Sequence, residues 1–107
     1  MTRRKVFLSP LAEKKLLLLL EWLEENWSSK VKEEFILKLK SSVEQISVYP
    51  ESCMQSNLKK GLYRYVITKK TSFYFRIVKT DIEIITLFDN RQNPKQINKE
   101  LKSFFKK

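Results

Sequence analysis

Between residues 10 and 47 the apolar positions of this chain recur every three or four residues, and between 62 and 88 every second residue. The first spacing lines one stripe of a helix, the second one face of a strand. Ser9-Pro10 reads as an N-cap followed by proline at the first helical position, and predicts a helix over 10–26. Ala12, Leu16, Leu19, Leu20, Leu23 and Trp27 form its buried stripe. Leu11, Leu18 and Trp22 form a second ridge on the other side. Sandwiching by the next helix is the expected fate of that ridge, with a partner surface as the alternative. Ser28-Ser29 interrupts the pattern and starts a second helix over 30–47, with Val31, Phe35, Leu39, Val43 and Ile46 as its stripe. So short a link predicts an antiparallel helix hairpin. Tyr49 precedes Pro50, a position that avoids helical backbone, so the helix ends there.

A short strand is predicted over 5–8. Residues 51–60 read as a polar connector, and three strands follow over 62–67, 72–79 and 82–88, with turns at 68–71 and 80–81. Tyr63, Tyr65 and Ile67 alternate with Leu62, Arg64 and Val66. Phe73, Phe75 and Ile77 alternate with Tyr74, Arg76 and Val78. Ile82, Ile84 and Phe88 alternate with Glu83, Ile85 and Leu87. Period two with tight polar turns predicts an antiparallel meander. The element order predicts an α+β fold: an N-terminal strand, an antiparallel helix hairpin packed on one face of a small, mainly antiparallel sheet, and a C-terminal amphipathic tail. In that tail Ile97, Leu101, Phe104 and Phe105 fall at i, i+4, i+7 and i+8, with Lys95, Lys99, Lys102, Lys106 and Lys107 on other faces. Docking back as a final helix is its commonest fate; filling a partner's groove and lying on an anionic membrane are the alternatives.

Length and charge change the picture next. The 107 residues make one domain, 1–107, with the tail 94–107 as a candidate separate partner-binding helix. Twenty-two Lys and Arg against 12 Asp and Glu give a formal net charge of +10, which points to a phosphate backbone or an acidic partner. With no histidine and only Cys53, the chain lacks the residues for a disulfide framework, for most transition-metal sites, and for Ser-His or Cys-His nucleophile pairs. One glycine cannot build a glycine-rich phosphate loop. No cofactor and no metal is expected. The basic start lacks the h-region of a signal peptide and the leucine run 16–20 is too short to cross a bilayer, so a cytoplasmic protein with no membrane partner is the expectation.

The candidate chemistry lies in the strands. Arg64 and Arg76 have matching parity on neighbouring strands, and Arg91 follows the last one. Guanidinium groups bind phosphate with two parallel hydrogen bonds and stabilise charge, but they make poor proton acceptors. Tyr63, Tyr65, Tyr74 and Phe73 are either core or stacking faces for single-stranded bases. The arginines either salt-bridge Glu83, Asp89 or Asp81 or face a ligand. Lys59-Lys60 and Lys69-Lys70 read as solvated turn charges with phosphate contact as the alternative. The helix glutamates read as surface charges.

These elements, taken in order, resemble the RelE/ParE superfamily of bacterial type II toxins, also called plasmid-stabilisation proteins. The resemblance runs over about residues 4–97 and is strongest in GLYRYVI, SFYFRIV and IEIITLFDNRQNP. It implies a small α+β toxin that inhibits growth and is neutralised by an acidic antitoxin, as a homodimer or a toxin-antitoxin hetero-oligomer. RelE-like members cleave mRNA on the ribosome, and ParE-like members poison DNA gyrase. Arg76 and Arg91 fall at arginine positions of the ribonuclease site, where Lys59, Lys60 or a tyrosine would supply the proton chemistry. RelE-like enzymes carry a catalytic Tyr or His after the last strand, whereas here Gln96, Ile97 and Asn98 follow Pro94. The resemblance therefore leans to ParE-like action by binding, with Arg64, Arg76 and Arg91 as target contacts; the alternatives are a RelE-like ribonuclease and a non-toxic member that only binds its antitoxin. The antitoxin is expected on Leu11, Leu18 and Trp22, on Ile97, Leu101 and Phe104, or on both.

Overall fold

The computed structural model describes residues 3–106. In chain order the elements are β1 (Val6–Leu8), α1 (Pro10–Asn26), α2 (Ser29–Val48), a short 3-10 turn (Pro50–Ser52), β2 (Met54–Gln55), β3 (Leu62–Val66), β4 (Thr71–Val78), β5 (Asp81–Asp89) and α3 (Pro94–Phe105). The sheet has five strands in the order β1-β5-β4-β3-β2. β1 runs parallel to β5, and the other pairings are antiparallel.

Ser9 caps α1 and also fixes it to the sheet. Its hydroxyl accepts from Ala12 N at 3.0 Å and donates to the Ile85 carbonyl at 2.6 Å, while Ser9 N donates to Ile84 O at 2.9 Å. Ser28 caps α2 by accepting from Val31 N at 3.1 Å. Capping satisfies backbone donors that the first helical turn leaves unpaired. The link between the helices is two residues long, so the expected hairpin forms.

The sheet is covered on both faces. On one side α1 and α2 supply Ala12, Leu16, Leu39, Val43 and Ile46 against Phe73, Phe75, Ile82, Ile84 and Leu87. Tyr63 stacks on Phe75 and Tyr65 on Phe73, at centroid separations of 5.2 and 5.4 Å. Phe73 and Phe75 are core, and the partly buried Tyr63 and Tyr65 have a ring face taken up by them. On the opposite face α3 lays Ile97 and Leu101 over Leu62, Tyr74, Ile85 and Phe88. The tail thus takes the first of its expected fates, and burial of those two side chains is worth about 1.5–3 kcal/mol each.

Five sequence expectations fail, each for a local reason. The strict alternation in the last strand breaks at a β-bulge: Phe75 stands opposite Ile84 and Tyr74 opposite Thr86, which leaves Ile85 as the extra residue. Ile85 and Phe88 consequently face α3, while Leu87 joins the hairpin side. The polar connector contains a strand, β2, too short to show a period. The Leu18–Trp22 ridge is not sandwiched, because α2 packs on the Leu19/Leu23 side; Leu18 is 57% exposed and Trp22 51%. Trp27, placed on the buried stripe, caps the helix end and is also exposed. The tight turn after β4 is Lys79-Thr80 rather than 80–81, with Lys79 at a left-handed φ of 59°.

Candidate functional site

Parity on β3 and β4 sends Arg64 and Arg76 to the face that α3 covers, but the two meet different surroundings. Arg64 stands between Met54 on β2 and Tyr74 on β4. Its guanidinium lies 5.5 Å above the Phe88 ring, and Nη2 reaches Asn90 Oδ1 at 3.5 Å. Its Nε is buried without an acceptor. A cleft of about 340 Å³ opens there, lined by the 54–58 segment, Arg64, Tyr74, Phe88, Asn90 and Gln92. Among the lining residues the charged group is Arg64, which binds an anion but does not shuttle a proton.

Arg76 is paired within the fold, although its side chain stays 38% exposed. Its Nε donates to Glu83 Oε1 at 2.8 Å, and the Glu83 side chain is only 12% exposed. The guanidinium sits 5.4 Å from the Phe104 ring centre and 5.3 Å from that of Phe105, so the end of α3 closes over it. Cation–π contacts of this kind favour α3 in its docked place. Lys59 reaches the same end, with Nζ 4.0 Å from the Phe105 ring centre. Lys60 is exposed on the neighbouring loop.

Arg91 does not join them. It is exposed beyond β5 and folds back on Asp89, with its backbone N 2.8 Å from Oδ1 and Nη2 3.3 Å from Oδ2. Those hydrogen bonds hold the Asp89 carboxyl below the usual aspartate range and keep Arg91 the more firmly protonated. Arg91 lines a second groove, on the hairpin side, with Trp22, Leu23, Trp27, Phe35 and Lys70. The three arginines expected to act together are thus split between two clefts and one closed pair.

Asn90, which sequence reasoning missed, organises the Arg64 cleft. Its Oδ1 accepts from Ser72 Oγ at 2.5 Å, and its Nδ2 donates to Lys69 O at 2.8 Å and Thr68 O at 3.3 Å. It therefore ties the β3–β4 turn to the end of β5 and aims Arg64. A second missed cluster is Lys15, Thr86 and Glu100. Lys15 Nζ donates to Glu100 Oε1 at 2.6 Å and Thr86 Oγ1 to the same oxygen at 2.5 Å, clasping α1 to α3 past the edge of β5. Neither cluster shows in the sequence, where its members lie up to 85 residues apart.

The residues expected to meet an antitoxin also divide. Ile97 and Leu101 are buried under the sheet and Phe104 is half-buried. Leu11 lines a shallow pocket with Phe104, while Leu18 and Trp22 stay open on the hairpin. Burial pushes the Cys53 thiol up, so it is a poor nucleophile. Among the described residues no three His, Cys, Asp or Glu side chains gather to hold a metal, and no helix is long and apolar enough to cross a membrane.

The same architecture occurs in known toxins. A chromosomal ParDE toxin-antitoxin system from P. aeruginosa superposes with a TM-score of 0.70 at 10% identity, over 81% of this chain and 96% of the other. YoeB from Staphylococcus aureus, described as a dimer, gives 0.56 at 15% identity over 81% and 97%. The isolated E. coli RelE toxin gives 0.56 at 11% identity over 94% and 98%. No curated protein matches the chain in sequence. At such identities the superpositions establish the fold, whereas the family assignment rests on sequence: the family model described as ParE toxin of type II toxin-antitoxin system, parDE, matches residues 6–94. With that match covering most of the chain on a sheet and hairpin of the same build, this protein belongs to the ParE toxin family, within the RelE/ParE superfamily of type II toxin-antitoxin toxins.

Proposed function

We propose that this chain is a cytoplasmic growth-inhibiting toxin that acts by binding a DNA gyrase-type target, and that an acidic antitoxin neutralises it. The observation that carries this reading is the Arg64 cleft, which sets one guanidinium among amide, hydroxyl and apolar side chains and holds neither a carboxylate nor an imidazole. Such a surface recognises an anionic group; the buried Tyr74 phenol in its wall is the one side chain there suited to give a proton to a leaving oxygen, and no carboxylate or imidazole stands beside it to take one from a 2′-hydroxyl. Arg64 and the exposed Arg91 are the target contacts in this proposal, and Arg76 serves by holding the end of α3. The open Leu18/Trp22 ridge and the Trp22/Trp27 groove suit the apolar anchors of an antitoxin, with Lys70 and Arg91 beside them for its acidic residues.

Ribosome-dependent mRNA cleavage is the second reading. It is favoured by the same Arg64 guanidinium and by the Tyr74 phenol beside it, and would draw on Arg76, Arg91, Lys59 and Lys60. Two assays on the antitoxin-free chain separate them. Purified protein is expected to block supercoiling by gyrase, and Arg64→Ala to weaken that block at least tenfold. Primer extension on mRNA from expressing cells is expected to show no new ends. Untouched supercoiling together with codon-positioned cuts would overturn the proposal in favour of the ribonuclease.

A further inference from the structure

The charge of this chain is not spread evenly. The hairpin region 10–48 carries six lysines and seven glutamates, so all of the formal +10 lies elsewhere. Much of the excess gathers on α3 and the loop beside it. Lys95, Lys99, Lys102 and Lys106 follow one another at i, i+4, i+7 and i+11, which sets them in a single row along about 16 Å of helix. All four are exposed, on the side away from the buried Ile97 and Leu101. Among the described residues none of the four enters an ion pair. Glu100, the one acidic residue of α3, is turned inward and neutralised by Lys15. Lys59 lies close to the helix end, its Nζ 4.0 Å from the Phe105 ring centre.

We infer that the outer face of α3 is a binding surface for the phosphate backbone of double-stranded DNA, without base preference. A row of unpaired lysines is a dense line of point charges, and 16 Å of duplex axis presents about ten phosphates to it. A protein partner fits this face less well, because protein interfaces are poor in lysine and built around apolar anchors, and those of α3 are already spent on the sheet. Single-stranded nucleic acid fits less well too, since it is held by stacking on exposed aromatic rings. The aromatics nearest this face, Tyr74, Phe88, Phe104 and Phe105, are buried or half-buried. This surface is separate from the Arg64 cleft and does not depend on which target the toxin stops: a chain that left gyrase untouched would still bind duplex through α3.

The test is fluorescence anisotropy of a labelled 20-base-pair duplex of arbitrary sequence, titrated with the full antitoxin-free chain at several salt concentrations. Four lysines predict a slope of log K against log salt near about −3.6, a loss of roughly 150-fold in affinity between 50 and 200 mM salt. Replacing Lys95, Lys99, Lys102 and Lys106 together by Gln should take most of that slope away. Replacing Lys14, Lys30, Lys38 and Lys40 together by Gln removes the same net charge from the hairpin and should leave the slope in place. Single changes such as Lys99→Gln, each expected to lower the slope by about 0.9, give the same answer if the fourfold variant does not fold. Equal losses from the two fourfold variants, no binding at 50 mM salt, or tighter binding to single-stranded DNA or to phosphatidylserine vesicles would overturn the inference.

Discussion

Changing Glu100 to Gln should loosen α3 from the body of the protein. Glu100 accepts from both Lys15 and the fully buried Thr86, and the side chains of Lys15 and Glu100 are 26% and 22% exposed. An exposed ion pair contributes about 0.2–1 kcal/mol, whereas breaking a fully buried one costs about 3–5 kcal/mol. A pair about three-quarters shielded falls between, and Glu100→Gln keeps an oxygen for Thr86 while stranding the Lys15 ammonium. The expected loss is about 2 kcal/mol, or about 8 °C in Tm at this chain length. Urea unfolding of Glu100→Gln, Lys15→Met and the double variant isolates the pair, with an expected coupling of about 1–2 kcal/mol. Hydrogen exchange adds the location: amides of α3 should lose protection in Glu100→Gln while those of β4 keep theirs. A coupling under about 0.5 kcal/mol, with α3 amides exchanging as in the wild type, would refute the claim that this clasp holds the helix.

Two further outcomes follow from local geometry. Lys79 occupies the first position of the two-residue β4–β5 turn at φ 59°, where a side chain costs about 1–2 kcal/mol and glycine is favoured. Lys79→Gly should therefore raise the unfolding free energy by up to about 1 kcal/mol once the extra freedom of the unfolded chain is subtracted, seen as a higher urea midpoint, and a lower midpoint would contradict the strain. The Asp89 carboxyl, lowered by its hydrogen bonds to Arg91, should titrate below the ordinary aspartate value in a carboxyl-detected NMR titration, and Arg91→Gln should return it to that value. Because the folded pKa is the lower one, the small stabilisation is present above the unfolded pKa and disappears as pH falls through the folded one, below about pH 4. A midpoint that ignores Arg91→Gln would show that the contact is absent in solution.

The residues themselves explain which parts of this fold were legible. α1, α2, β3 and β4 each bury one face, so their periods are written plainly, and capping by Ser9 and Ser28 marked the helix starts. β5 misled because the extra residue at Ile85 turns Thr86 and Phe88 toward α3, a shift that depends on pairing with Tyr74 and Phe75 rather than on β5 alone. β2 was invisible because two residues carry no period. The arginines were legible as a type and a parity, but their fates were not. Arg64 was left with a buried nitrogen that has no acceptor, Arg76 was paired with Glu83 beside Phe104 and Phe105, and Arg91 was drawn off by Asp89.

The sequence by itself determined the α+β class, the hairpin and the meander, the absence of imidazole chemistry, the basic charge and the resemblance to the RelE/ParE toxins. Each of these is a property of composition or of short-range spacing, which the chain carries before it folds. Only the tertiary structure decided that α3 covers the second face of the sheet, that Asn90 aims Arg64, that Lys15 reaches Glu100, and that a lysine row is left facing solvent. Those outcomes depend on contacts between residues distant in sequence. Their energy is set by burial and distance, and neither exists until the sheet has brought its two covering layers together.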